Sequence, residues 1–76
     1  MQKLTVGEQL RILMKRDKLK QTDLAEKLNI DKRNISQAMR SFDENRGTLK
    51  TLMEYAEALG YEVQIEFRKK EENENN

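Results

Sequence analysis

Between Gln21 and Arg40 two short helical periods meet with only Asn29-Ile30-Asp31 between them, and this junction constrains the fold more than any other feature of the sequence. In the first period Leu24, Ala25 and Leu28 share one face, while Asp23, Glu26 and Lys27 take the other. Asn tolerates the left-handed backbone that ends many helices, so Asn29-Ile30 can turn the chain sharply with little strain. Asp31 is a good N-cap for the next helix, which the spacing predicts from Lys32 to about Arg40 with Ile35, Ala38 and Met39 inward. Its outward side chains, Lys32, Arg33, Ser36, Gln37 and Arg40, are all hydrogen-bonding groups. Two helices crossing steeply at so short a turn need a small side chain where their backbones approach, and Ala25 supplies one.

The flanks predict two further helices. Thr5-Val6-Gly7-Glu8 has the spacing of a capping box, and Val6, Leu10, Leu13 and Met14 recur at helical spacing as far as Asp17. Phe42-Asp43-Glu44-Asn45-Arg46-Gly47 reads as a loop. Thr48 then caps a fourth helix with Leu49, Leu52, Met53, Ala56 and Leu59 along one stripe, closed by Gly60. Met14, Met39 and Met53 read as core fillers, and Phe42 and Tyr55 as packing residues.

After Gly60 the period changes from about 3.6 to 2, since Tyr61, Val63, Ile65 and Phe67 alternate with Glu62, Gln64, Glu66 and Arg68. This predicts one β-strand over 61–67. A lone strand needs a partner, and the simplest is the same strand of a second subunit; the alternative is that Val63, Ile65 and Phe67 fold back onto the helices of their own chain. Residues 69–76 contain no apolar side chain and read as a disordered tail. The expected organisation is one domain over 1–68 followed by that tail.

Composition narrows the chemistry. The 76 residues contain no cysteine and no histidine, which removes disulfides, thiolate metal sites and the commonest general base. No Gly-rich phosphate loop or buried carboxylate pair is evident, so an enzyme is not expected, nor a metal or cofactor. No stretch has the length and apolarity of a membrane span, which predicts a soluble, cytoplasmic protein. Net charge is +1, yet Lys and Arg outnumber Asp and Glu eleven to six between Arg11 and Lys50. The positive charge is concentrated where a nucleic acid could meet it.

The stretch Gln21 to Arg40 resembles the helix-turn-helix of the lambda repressor and Cro family, also called XRE-type. It begins with Gln21, has Ala25 at the fifth place, and has apolar Leu24, Leu28, Ile30, Ile35 and Ala38 at the places where relatives have them. Thr48 to Gly60, ending Ala58-Leu59-Gly60, resembles the fourth helix of that family, so the likeness covers residues 5 to 60. Two departures are Asn29 where Gly is usual and Lys20 where Ser or Thr is usual. Asp23 can compensate for the second by accepting from N-terminal amides.

The resemblance implies a mainly α, compact four-helix domain, here with one C-terminal strand pairing across a dimer. It implies that Lys32, Arg33 and Gln37 read base edges in the major groove, with Asn34, Ser36 and Arg40 as secondary contacts to bases or phosphates. It also implies that Gln21, Thr22, Asn45, Arg46, Thr48 and Lys50 hold the duplex backbone. The expected dimerisation residues are Tyr61, Val63, Ile65 and Phe67.

The function so implied is a DNA-binding repressor acting as a homodimer on a palindromic, double-stranded operator. An antitoxin that represses its own promoter and covers a toxin partner is one alternative. A protein-interaction module that has lost DNA binding is another, and the basic, amide-bearing third-helix face speaks against it.

Overall fold

The computed structural model describes residues 3–70, which form α1 (Val6–Arg16), α2 (Gln21–Leu28), α3 (Lys32–Asp43) and α4 (Leu49–Ala58). Each helix starts on a side chain that satisfies its free amides. The Thr5 hydroxyl accepts from the Glu8 amide at 3.1 Å while the Glu8 carboxylate accepts from the Thr5 amide at 2.7 Å, the predicted capping box. Asp31 accepts from the Arg33 amide at 2.8 Å, and the Thr48 hydroxyl accepts from the Thr51 amide at 3.2 Å. At α2, where Lys20 offers no acceptor, Asp23 accepts from the Lys20 amide at 2.8 Å.

All four helices end in the same way. Lys18, Asn29, Asn45 and Gly60 each take a positive φ. The amide of the following residue reaches back to a carbonyl of the last turn: Leu19 to Met14, Ile30 to Ala25, Arg46 to Ser41 and Tyr61 to Ala56, at 2.8–3.0 Å. This is the Schellman closure, which satisfies carbonyls that the helix leaves free. It lets each helix stop and reverse within a few residues.

The core is one cluster drawn from every helix: Leu10 and Met14 of α1, Leu24 and Ala25 of α2, Ile35, Met39 and Phe42 of α3, with Tyr55 of α4 and Leu59 just beyond its end. Helix α3 packs against α1 and α2, and α2 also against α4. Phe42 and Tyr55 meet edge to face with ring centres 5.8 Å apart. Burial holds the Tyr55 hydroxyl above its ordinary pKa, and the nearby Glu54 charge adds to this.

Three sequence expectations change. Helix α3 runs on through Phe42 and Asp43, which were expected in a loop. The cause is in the period: Phe42 continues the stripe of Ile35 and Met39 into the core, and Asp43 forms a two-point ion pair with Arg11 of α1 at 3.2 and 2.7 Å. Met53 and Leu49 are not core fillers; both lie about half exposed, because the inward stripe of α4 narrows to Leu52, Tyr55, Ala56 and Leu59. Among the described residues there is no β-strand, and 61–70 form no regular element.

The predicted strand fails for the reason that made a partner necessary. Its backbone amides and carbonyls find no second strand within one chain. Its apolar side divides instead. Tyr61 is half buried against the core and its hydroxyl donates to Asp17 at 3.0 Å, and Val63 and the half-exposed Ile65 line a pocket with Val6, Leu10, Leu13 and Leu52 of their own chain, whereas Phe67 stands in solvent. Of the expected tail, Lys69 and Lys70 are exposed and irregular, and 71–76 lie outside the described residues.

Candidate nucleic-acid interface

Helix α3 separates its chemistry by face. Ile35 and Met39 are wholly buried, so the helix cannot rotate about its axis without exposing them. Lys32, Arg33, Asn34, Ser36, Gln37 and Arg40 are all exposed. The Asp31 cap and the tight turn at Asn29 fix where the helix begins, which places Lys32 and Arg33 in its first turn. The Arg33 side chain is 91% exposed, and its guanidinium lies 3.9 Å from the Asp31 carboxylate. At that distance and exposure the pair is weak, so the fork of donors stays available.

The start of α2 is tied to the same face. The Ser36 hydroxyl donates to the Gln21 side-chain carbonyl at 3.0 Å. Gln21 is half buried, and Thr22 beside it is exposed in the first turn. With its oxygen engaged by Ser36, Gln21 keeps its amide N–H groups as donors.

The expected contacts around the start of α4 are placed less uniformly. Lys50 and Thr48 are exposed, but the Thr48 hydroxyl is already the cap of α4. Arg46 is exposed and pairs with Glu44 at 2.7 Å. Asn45 has a structural role that the sequence did not reveal: its side-chain oxygen accepts from the Val6 amide at 2.8 Å and closes the start of α1 from 39 positions away. Only its amide N–H groups remain for a phosphate.

Sequence reasoning also missed the device that sets α1 against α3. A Cβ on Gly7 would lie 2.6 Å from the backbone nitrogen of Asp43, so the two helices meet where only glycine fits. One turn further on, the hydrogen bonds from Arg11 hold the Asp43 carboxyl below its ordinary pKa; slight desolvation opposes this, and the Arg11 charge reinforces it. Glycine in the first turn of a predicted helix was the only available signal.

Among the described residues no group of His, Cys, Asp and Glu is arranged to hold a metal, and no helix is long and apolar enough to cross a membrane. Two short helices thus cross at a turn closed by Asn29, and the second presents a polar, positively charged face beside the anchored start of the first. No curated protein and no solved structure matches the chain. Residues 1–68 match the model of a family described as a helix-turn-helix domain. The chain therefore belongs to the helix-turn-helix domain family, which supports DNA as its partner.

Proposed function

We propose that the protein is a sequence-specific regulator of transcription of the lambda repressor and Cro type, a repressor that binds a palindromic operator in double-stranded DNA as a homodimer. The observation that carries this reading is the exposed face of α3, fully polar and net positive, on a helix locked by buried Ile35 and Met39. Arg33 and Lys32 suit the O6 and N7 acceptors of guanine, and Gln37 suits adenine N6 and N7. Asn34, Ser36 and Arg40 make secondary contacts. Gln21, Thr22, Asn45, Arg46, Thr48 and Lys50 hold phosphates and set register. The action is occlusion of the promoter, not catalysis. Two copies would place their third helices one turn of DNA apart, about 34 Å, with the 61–67 segments supplying the contact between them.

Selection of bound sequences from a random duplex pool, repeated across salt concentrations, tests the reading. Enrichment of a site with two-fold symmetry is expected, and Arg33→Ala or Gln37→Ala should each lose about 1–3 kcal/mol and relax preference at one position per half-site. Absence of binding even at low salt would overturn it.

A further inference from the structure

The amide of Tyr61 closes α4, and beyond it, among the described residues, no backbone hydrogen bond ties 62–70 to the helices. The segment lies along α1 and α4 by its side chains instead, and a groove of about 480 Å³ remains between them. Val6 and Leu13 of α1, Leu52 of α4, and Tyr61, Val63 and Ile65 of the segment line this groove. The first five are half buried and Ile65 is 56% exposed, so apolar surface from three parts of the chain converges without closing. A volume of this size suits a small organic molecule, for which sites of about 300–1,000 Å³ are usual.

The polar groups of the groove select the kind of molecule. Among the described residues that line it, the charged ones are Glu62 and Glu66, both exposed, and no Lys or Arg joins them. Glu66 pairs with Arg68 at 3.4 Å, an accessible contact that is easily exchanged, whereas among the described residues no cation lies within ion-pair distance of Glu62. Gln9 and Gln64 add uncharged carboxamides that both donate and accept. Tyr61 adds an aromatic ring, whose face attracts cations. The carboxylates repel anionic ligands, phosphates included.

We propose that this groove is a binding site for a small organic cation with an apolar body, its positive end toward Glu62 and Glu66. An ammonium or phosphonium centre near a carboxylate and an aromatic face is matched in charge, while its alkyl or aryl groups cover Val6, Leu13, Leu52 and Val63. Because apolar contact and not backbone hydrogen bonding holds the segment, its side of the groove can adjust to the ligand at little cost. None of the residues proposed to contact DNA lines the groove, so the site is separate from the α3 face and does not depend on the DNA-binding reading.

Titration calorimetry of the full chain with tetraphenylphosphonium, and with tetraphenylborate as an anion of nearly the same shape, tests this. Saturable binding of the cation is expected, with the anion weaker by about tenfold or more. Glu62→Gln/Glu66→Gln should weaken the cation by about fivefold and narrow its advantage over the anion. Gln9→Trp, which fills the groove from an exposed position on α1, should weaken the cation by about tenfold or more. Arg33→Ala on α3 should bind it as tightly as the wild type does. No saturable binding of the cation, equal binding of the two ions, or a cation affinity unchanged by either groove variant overturns the proposal. Loss of binding in Arg33→Ala would put the cation on the α3 face and equally overturn it, and the random-pool selection judges DNA binding separately. All the substituted sites are exposed, and far-UV circular dichroism checks that helix content is unchanged.

Discussion

The Ser36 hydroxyl donates to the Gln21 side-chain oxygen at 3.0 Å, joining the first residue of α2 to the exposed face of α3. The bond crosses the turn of the helix-turn-helix, so the residue proposed to hold a phosphate and the helix proposed to read bases are positioned by one contact. Neither side chain is free to reorient without breaking it.

Gln21→Ala should therefore act through position. It loses one hydrogen bond at a partly exposed site, worth about 0.5–1.5 kcal/mol of stability. DNA affinity should fall by a similar factor for operator and scrambled duplexes alike, as measured by fluorescence titration. A change in sequence preference would show instead that Gln21 contacts a base.

Gly7→Ala opposes two known effects. Alanine favours a helix over glycine by about 1 kcal/mol, but its Cβ would press on the Asp43 backbone, and such overpacking costs about 1–3 kcal/mol. Backbone cannot swing aside as a flexible side chain would. Thermal unfolding should show a lower Tm, and an unchanged or higher Tm would mean that α1 and α3 separate freely.

The Arg11–Asp43 pair gives stability a pH dependence. The carboxyl of Asp43 has a folded pKa below its unfolded one, so its contribution is fully present above the unfolded value and is lost as pH falls through the folded value. Half-exposed as the pair is, it contributes at most about 1 kcal/mol. Urea unfolding of wild type and Asp43→Asn should differ at pH 7 and begin to converge as pH falls below about 4.

Lys18→Gly should stabilise the protein. A non-glycine residue in the left-handed region is strained by about 1–2 kcal/mol, and glycine loses about 0.5–1 kcal/mol of chain entropy on folding, so the net gain is about 0.5–1 kcal/mol. Asn29→Gly should gain less, since Asn tolerates that conformation. Chemical denaturation of the two variants gives the comparison.

Most of the helical plan was legible because helices are local. The capping box at Thr5 and Glu8, the Asp31 and Thr48 caps and the turn at Asn29 each involve residues within a few positions of one another. The end of α3 was misplaced although Phe42 continued its stripe, because the polar run from Asp43 to Gly47 outweighed one aromatic residue. The exposed face of α3 followed from its inward stripe alone. Its partners did not: the Ser36–Gln21 bond crosses the turn between two helices, and Asn45 caps a helix 39 positions earlier.

By itself, then, the sequence determined four helices, their starts, every stop but that of α3, and which side of α3 meets solvent, since those depend on spacing and on hydrogen bonds within a turn. Tertiary structure alone decided that glycine at position 7 brings α1 onto α3, that α4 leaves Leu49 and Met53 uncovered, and that Tyr61 turns inward while Phe67 does not. Alternation with period 2 says that a segment has an apolar side. It does not say what that side meets, because that is fixed by surfaces distant in sequence, brought near only when the chain packs.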